Sequence, residues 1–493
     1  MSSHPASSPA GDTLGGHPKG LYILFFAEAW ERFSYYGMRA LLTLYMVNHL
    51  SFDRSEALQI YATYTGLVYL TPFLGGLLAD RVLGSRKSVI IGGLIMALGH
   101  LAMASESLLY PALGLLIVGN GFFKPNISTI VGGLYEPGDA RRDGGFTIFY
   151  MGINLGAFFS PLVCGTLGEQ VGWHWGFSAA AFGMLIGLGV FLAGQRFLGT
   201  AGYPPDMKNP VAGTSLRSRD WVDIAIWTVC GSAFVWAVLW VWPTLSIGVE
   251  LIPASVRLVV GVLLVLGTIV GLIGSAAKDG TEAWQQTAVI IILAVFVVFF
   301  WMGFEQAGGT MTLFADEQTD RTLMGFEIPA SWFQSINPLA IVCLAPVFSV
   351  MWQRVDESKY ALSTPTKMAL GMIILGLGFV VMFVAQGLAE ETGSVGPLWL
   401  ASVYLIHTIG ELFLSPIGLS MVTKLSVPRM VSLMMGVWFT SSAVANYAAG
   451  RLEELVSHYD LPVFGFLIGS SIGAGCLLLL LVPLLKKWMH GKG

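Results

Sequence analysis

The run GLYILFFAEAWERFSYYGMRALLTLYMVNH, residues 20–49, sets several charges among apolar residues. The hydrocarbon core of a bilayer is about 30 Å thick and is crossed by roughly 20 helical residues, so this run is long enough to span it. Steps of four, three and four residues place its polar side chains on one helical face, namely Glu28, Arg32, Tyr35 and Arg39. An ionisable side chain in lipid costs several kcal/mol unless it is paired or hydrated, so we expect this face to line a cavity. A structural ion-pair ladder is the alternative.

Composition indicates that the rest of the chain also lies in lipid. Of 493 residues, 55% are hydrophobic and 11% are charged, whereas soluble domains carry about 25% charged residues. The net charge is -4, with 26 basic and 30 acidic residues, which gives no bulk field for a polyanion. We therefore expect membrane lipid around the chain and no nucleic-acid partner.

Apolar runs give fourteen predicted transmembrane helices, so the predicted fold class is an all-α membrane protein. Eleven runs contain no Asp, Glu, Lys or Arg, and three more are recognised when an internal charge is tolerated. Those three are 20–49, 107–135 with Lys124, and 392–423 with Glu411. The charge-free runs are 57–79, 88–105, 144–168, 170–195, 224–249, 258–277, 283–304, 328–353, 368–389, 430–450 and 461–485.

The distribution of Lys and Arg supports this count, because basic residues concentrate in short cytoplasmic loops. With both termini in the cytoplasm, nineteen basic residues fall on the cytoplasmic side and four on the other. The longest polar stretch, about 197–223, predicts a linker before an inserted helix pair. The predicted organisation is a flexible cytoplasmic tail at 1–19, an N-terminal six-helix bundle at 20–196, the linker and inserted pair at 197–282, a C-terminal six-helix bundle at 283–485 and a cytoplasmic tail at 486–493.

Charges on corresponding helices of the two bundles have opposite signs. If the bundles are repeats, Arg39 on the first core span corresponds to Glu305 on the seventh, and Lys124 on the fourth to Glu411 on the tenth. Prolines lie near both Lys124 and Glu411, and Pro-interrupted spans at matching positions point to a transporter's binding site. An ordinary kink is the alternative. Cations on one wall and carboxylates on the other would suit a zwitterion such as an amino acid or short peptide.

Short motifs recur in order along nearly the whole chain. They are EAWERFSYYG (28–37), GGLLADR (75–81), GSRK (84–87), FYMGINLG (149–156), FEQ (304–306), QSINP (334–338), GEL (410–412) and SPIGLS (415–420). Together they closely resemble the signatures of the proton-dependent oligopeptide transporters, a branch of the major facilitator superfamily. One mild departure is that Ala157 and Phe158 follow the fourth motif, where the family has a small polar residue and an aliphatic one.

The resemblance implies a major facilitator fold, in which two six-helix bundles plus two inserted helices make fourteen transmembrane helices. It implies a proton-coupled symporter of the cell inner membrane that imports di- and tripeptides by alternating access around a central charged cavity. The proton is then the coupling ion, no other cofactor and no metal is expected, and the chain is not an enzyme. A carrier of another solute, a membrane enzyme and a channel are the alternatives, although we find no metal-ligand spacing or filter repeat.

Candidate site residues follow from the charges and from the resemblance. Lys124 and Arg32 are predicted to hold the peptide carboxylate, and Glu411 with Asn337 its amino group. The predicted substrate-binding set is Arg32, Tyr35, Tyr36, Tyr69, Lys124, Asn154, Trp301, Asn337, Glu411, Trp438 and Ser442. The predicted proton-coupling set is Glu28, Glu31, Arg32 and Glu305. The predicted gates are Arg39 with Glu305 outside, Asp316 being a second partner for Arg39, and Lys124 with Glu411 inside.

Overall fold

Helices make up almost all of the regular structure in the computed structural model, which describes residues 13–79, 83–136, 138–203, 254–359, 361–427 and 430–492. The strands within these ranges form two short hairpins. They are β1 (Thr13–Leu14) with β2 (His17–Pro18), and β3 (Thr322–Leu323) with β4 (Phe326–Glu327). A span in lipid must satisfy its own backbone hydrogen bonds, which a helix does. The prediction of an all-α membrane protein is confirmed.

The chain divides into two compact units, one holding Met1–Leu41 and Leu70–Val238 and the other Leu42–Tyr69 and Leu239–Gly493. The first two helices each contribute to both units. Before the inserted region the helices are α1 (Lys19–Leu44), α2 (Arg54–Leu78), α3 (Ser85–Ala102), α4 (Leu109–Gly133), α5 (Arg142–Ser160) and α6 (Trp173–Ala193). Helix α1 continues as the π-helical turn Tyr45–His49, and α5 as Pro161–Gly165 and Leu167–Val171.

The later helices belong to the second unit. They are α7 (Ala254–Ala277), α8 (Thr281–Phe304), α9 (Thr310–Glu317), α10 (Ile336–Asp356), α11 (Thr364–Thr392), α12 (Pro397–Leu425), α13 (Val431–Ser457) and α14 (Val463–Trp488). Helix α8 is interrupted by the 3₁₀ turn Glu305–Gly308 before α9 resumes. Two glycines, Gly308 and Gly309, end this turn, and glycine disfavours a continuous α-helix by about 1 kcal/mol per residue.

Thirteen of the fourteen predicted spans lie within the described residues, and each is occupied by a helix. Eight of the described helices are long and apolar enough to cross a membrane. The inserted span at 224–249 and most of the linker lie outside the described residues, as do Asp80 and Arg81 of the second motif. The predicted bundle boundaries stay predictions.

Residues 13–18 form a hairpin, although the sequence predicts a flexible tail there. Two glycines between its strands have φ values of 55° and 84°, a left-handed backbone that glycine adopts without a side-chain clash. His17 Nδ1 lies 2.9 Å from the hydroxyl of Tyr135, and Arg141 donates to the carbonyl of Gly16 at 2.9 Å. These contacts with the loop between α4 and α5 order the segment, which its local composition does not indicate.

Glycine pairs bring two consecutive helices close together in each unit. A methyl group on Gly119 of α4 would lie 2.8 Å from the carbonyl oxygen of Gly92 of α3, and the reverse substitution would give 2.6 Å. Helices α11 and α12 cross in the same way, because a methyl group on Gly371 or Gly410 would lie 2.7 or 2.8 Å from the opposite carbonyl oxygen. Small residues allow such close backbone approach between membrane helices. The crossings hold α4, which carries Lys124, against α3, and α12, which carries Glu411, against α11.

Candidate functional site

The charged face of α1 forms a buried cluster in the first unit. Glu28, Glu31 and Arg32 are 2%, 0% and 3% exposed. Arg32 Nε donates a hydrogen bond to Glu28 Oε1 at 2.9 Å and lies 2.6 Å from Glu31 Oε2. The four-residue spacing puts Glu28 and Arg32 one helical turn apart, which allows this contact. Two carboxylates therefore share one guanidinium, and the proton-coupling prediction depends on this arrangement.

Helix α4 supplies the next layer of this cluster. Asn120, which is 0% exposed, donates from Nδ2 to Glu31 Oε1 at 3.4 Å. Lys124, one turn further along α4, acts electrostatically on both Glu28 and Glu31. The cluster thus holds two carboxylates and two cations, whose charges balance when all four are ionised. Sequence reasoning found Lys124 and missed Asn120, although the four-residue spacing between them places both on one helical face.

Tyrosine rings lie beside the guanidinium groups of α1. Arg32 Cζ is 5.5 Å from the ring centre of Tyr35, and Arg39 Cζ is 5.8 Å from that of Tyr36. The two rings pack edge to face with their centres 5.1 Å apart. Contact with an aromatic face favours a desolvated cation, so the predicted tyrosines help to keep the predicted charges inside the helix bundle.

A second cluster, in the second unit, surrounds Glu411 on α12. Glu411 is 8% exposed and accepts a hydrogen bond at Oε2 from Asn337 Nδ2 at 2.8 Å. The same amide nitrogen donates to Thr408 Oγ1 at 3.0 Å, and the Thr408 hydroxyl donates to the carbonyl of Tyr404 at 2.7 Å. The structure thus brings together the predicted pair Asn337 and Glu411. It adds Thr408, which the sequence analysis missed.

Glu305 is a second buried carboxyl among the described residues of the second unit. It is 4% exposed and begins the 3₁₀ turn that interrupts the helix after α8. Its charge acts on Glu411, so two acidic groups lie within electrostatic range of each other. Arg39 and Lys124, the cations predicted to pair with these two carboxyls, belong to the first unit. Both pairings therefore stay predictions.

The other predicted binding residues make contacts along their own helices or lie partly buried. The side chain of Asn154 donates at 3.0 Å to the backbone carbonyl one turn before it. The backbone carbonyl of Ser442 accepts at 2.9 Å from the side-chain amide of the residue one turn after it. Trp438 is 6% exposed, whereas Trp301 and Tyr69 are half-buried. The contact of Asn154 holds its side chain against its own helix, and none of these observations assigns a ligand to the five residues.

An ion-pair cluster that sequence reasoning missed lies in the second unit at the start of α2. Arg54 binds Glu453 through two hydrogen bonds, from Nε at 2.9 Å and from Nη2 at 3.0 Å, and donates from Nη1 to Glu317 at 2.7 Å. Nearby, Gln59 donates to Glu454 at 2.9 Å. Arg54 is one of the four basic residues that the predicted topology puts on the outer side. The scarcity of basic residues on that side is the sequence signal that could have identified Arg54.

Asp316, the second partner predicted for Arg39, has two donors in this unit. Arg321 Nη2 donates to it at 2.9 Å and Asn48 Nδ2 at 2.7 Å. Arg321 also lies 3.2 Å from Glu327. Asp316 therefore takes part in a local network around β3 and β4.

Apolar helices that bury ionisable groups in both units define a polytopic membrane transporter. The family model described as the POT family matches residues 86–466. The chain belongs to the POT family.

Full-length relatives agree with this assignment. A peptide transporter of Yersinia enterocolitica is 39% identical over 99% of this chain and 98% of that protein. A di-/tripeptide transporter of Lactococcus lactis is 34% identical, over 96% of this chain and 97% of that protein. The crystal structure of a peptide transporter POT in complex with sulfate is 38% identical, has a TM-score of 0.82 and covers 97% of both chains. The predicted family and major facilitator fold are confirmed.

Proposed function

We propose that the protein is a proton-coupled symporter that imports di- and tripeptides. The observation that carries the proposal is a pair of buried clusters with different chemistry. The first unit holds Arg32 and Lys124 beside two carboxylates, and the second holds Glu411 beside Asn337. A zwitterionic peptide needs both kinds of site. The relatives named as peptide and di-/tripeptide transporters support the same substrate class.

In this proposal each end of the peptide binds one cluster. Arg32 and Lys124 hold the carboxylate, because they are the cations of the first cluster. Glu411 holds the ammonium group, and the hydrogen bond from Asn337 at 2.8 Å orients its carboxylate. Hydrogen bonds to charged groups contribute about 1.5–3 kcal/mol each, which is enough to make both termini requirements for binding.

Charge balance in the first cluster supplies the coupling to protons. Glu28, Glu31, Arg32 and Lys124 sum to zero when all are ionised. A peptide carboxylate that binds the two cations adds one negative charge to a buried site. A proton on Glu28 or Glu31 restores the balance, so peptide and proton each favour binding of the other. No cofactor besides the proton is needed.

Alternating access would bring cations of one unit to carboxylates of the other. We propose Arg39 with Glu305 for the outer gate and Lys124 with Glu411 for the inner gate. Peptide that binds Lys124 and Glu411 would release the inner pair. The Arg54 cluster lies within the second unit, where it would hold the start of α2 against α9, the helix that follows Glu305 of the outer gate. Both termini would lie in the cytoplasm, with the chain in the lipid of the inner membrane.

The test is uptake of a labelled dipeptide into liposomes that contain the purified protein. An inward proton gradient should drive accumulation above the outside concentration, and unlabelled dipeptide inside should drive counterflow without a gradient. Free amino acids and nitrate serve as competing solutes. Peptide entry without counterflow would indicate a channel, and entry that ignores the proton gradient would contradict coupling.

A further inference from the structure

The glycine crossings align the two halves of the protein residue by residue. Gly119 and Gly410 make the reciprocal backbone contacts in their units, and each belongs to the fourth helix of its half. The residue after each glycine is buried and polar, Asn120 in one half and Glu411 in the other. A proline follows five residues later in both helices. Asn120 therefore occupies the position that carries a binding-site carboxyl in the second half.

The contacts of Asn120 point to Glu31. Its Nδ2 donates to Glu31 Oε1 at 3.4 Å, and both residues are 0% exposed. Its Oδ1 is buried and accepts no hydrogen bond from the residues that the structure describes. A buried carbonyl oxygen without a donor is costly. The amide of Asn120 therefore suits a neighbouring group that becomes a hydrogen-bond donor when it is protonated.

The two acidic residues of the cluster are held differently. Arg32 Nε has one hydrogen, and it is directed to Glu28 Oε1 at 2.9 Å. Glu31 Oε2 lies 2.6 Å from the same nitrogen but accepts no hydrogen bond from the described residues. Glu28 is thus bonded to a group that remains a donor at every physiological pH. Glu31 is ion-paired with the same guanidinium, but its hydrogen-bond donor among the described residues is the neutral amide of Asn120.

An amide suits a carboxyl that changes protonation. The ionised carboxylate accepts from Nδ2, and after a half-turn of the amide about its last side-chain bond the protonated acid donates to Oδ1. We infer that Asn120 is a positioning residue that makes Glu31, rather than Glu28, the carboxyl that binds and releases the coupled proton. The charged groups that face Glu31 are Glu28 and Arg32 of α1 and Lys124 of α4. The inference rests on the proposed symport.

A test that does not depend on transport follows the protonated carboxyl directly. The C=O stretch of buried carboxylic acids is titrated by infrared spectroscopy in purified protein, in wild type and in Glu31→Gln and Glu28→Gln. The cluster's titrating band should disappear in Glu31→Gln and persist in Glu28→Gln. A band that disappears in Glu28→Gln alone would overturn the inference, even if the protein proves to be a peptide symporter.

Substitution of Asn120 tests the positioning role. Asn120→Leu removes both partners, and the bond to the ionised acid is about twice as strong as the bond to the neutral acid. The titration midpoint of the Glu31 band should therefore move up by about half to one pH unit. Asn120→Ser, whose hydroxyl both donates and accepts, should bring the midpoint back toward wild type. The matched control is Asn126→Leu. Asn126 is buried on the same helix, but its side chain donates at 2.8 Å to the backbone carbonyl of Phe122, one turn earlier.

Uptake measurements separate this inference from the proposed function. If wild type fails to accumulate dipeptide while Asn120→Leu still shifts the Glu31 band, the symport proposal fails and the assignment of the proton site stands. If wild type accumulates dipeptide but Asn120→Leu leaves both the band and the pH profile of uptake unchanged, Asn120 has only a structural role. A shift that persists in the double variant Asn120→Leu with Glu31→Gln would also overturn the inference.

Discussion

Recognition of the peptide amino group depends on the charge of Glu411, and Glu411→Gln removes that charge with little change in shape. Glutamine keeps an oxygen that accepts the hydrogen bond from Asn337, now 2.8 Å from Glu411 Oε2. The amide of Asn337 is also held by Thr408 at 3.0 Å, so its orientation does not depend on the charge. The variant should therefore report on the charge alone.

The size of the effect follows from burial. Glu411 is 8% exposed, so water and salt screen its interaction with an ammonium group only weakly. A charged hydrogen bond contributes about 1.5–3 kcal/mol, and 1.4 kcal/mol is a factor of ten in Kd. Glu305 lies within electrostatic range of Glu411 and would still attract the ammonium group in the variant, which places the expected loss in the lower part of that range. We expect dipeptide binding to weaken by roughly 10- to 50-fold.

Calorimetric titration of purified protein with a dipeptide measures this loss, and the N-acetylated dipeptide is the matched control. Acetylation should weaken binding to wild type by a similar factor and should add little in Glu411→Gln, because the two changes remove the same interaction. An unchanged affinity for the free-amine dipeptide in Glu411→Gln would refute the assignment. Equal losses for both peptides would indicate general damage to the fold.

Three further predictions concern coupling and gating. Glu31→Gln should abolish proton-driven accumulation in liposomes while retaining counterflow, whereas Glu28→Gln should retain part of the accumulation; equal accumulation in Glu31→Gln and wild type would contradict the coupling role. Arg39→Glu and Glu305→Arg should each lower uptake at least about tenfold, and the double variant should recover part of it if the two form a gate. Arg54→Ala removes partly exposed ion pairs that contribute about 1 kcal/mol together. The rate of labelling of a cysteine introduced on the predicted outer side should therefore rise roughly fivefold, and an unchanged rate would exclude a gating role.

The spans and their order could be predicted from the sequence because lipid imposes a strong constraint. A helix must be apolar over about 20 residues, and its flanking loops record the orientation in their basic residues. The break after Phe304 was not predicted, since the apolar run ends where the 3₁₀ turn begins. The hairpin at 13–18 was also missed. Its order comes from Tyr135 and Arg141, which are more than a hundred residues away in the chain.

The charged members of the candidate site could be predicted because each stands out as costly in a membrane. The neutral members could not. Asn120 and Thr408 cost little in a helix and resemble many packing residues, so their importance depends on which carboxyl or amide they reach. The partners of Arg54 likewise lie on helices far apart in the chain, and only the fold brings Glu317 and Glu453 to it.

Which residues of the two halves correspond to each other could be established only from the structure. The sequence pairs Lys124 with Glu411 because both lie on the fourth helix of their half. The glycine crossings align Gly119 with Gly410, which matches Asn120 to Glu411 and puts Lys124 one turn further on. Relative to the equivalent glycines of α4 and α12, Lys124 therefore lies about 6 Å further along its helix axis than Glu411 does, at 1.5 Å per residue.

Thr408 offers the sharpest test of how the carboxylate of Glu411 is held. Its hydroxyl accepts one hydrogen of the Asn337 amide at 3.0 Å and donates its own to the Tyr404 carbonyl at 2.7 Å. Thr408→Val keeps the shape but removes both bonds. The amide of Asn337 can then rotate away from Glu411, which should cost about 1 kcal/mol in dipeptide binding, or roughly fivefold in Kd.

Thr408→Ser retains the hydroxyl and is the matched control, with an expected change below about twofold. The double variant Thr408→Val with Asn337→Ala should bind no more weakly than Asn337→Ala alone, because Thr408 acts through the amide that Asn337→Ala removes. A further loss in the double variant would mean that Thr408 acts on the peptide or on the helix directly. Unchanged binding in Thr408→Val would mean that Glu411 alone keeps the amide of Asn337 in place.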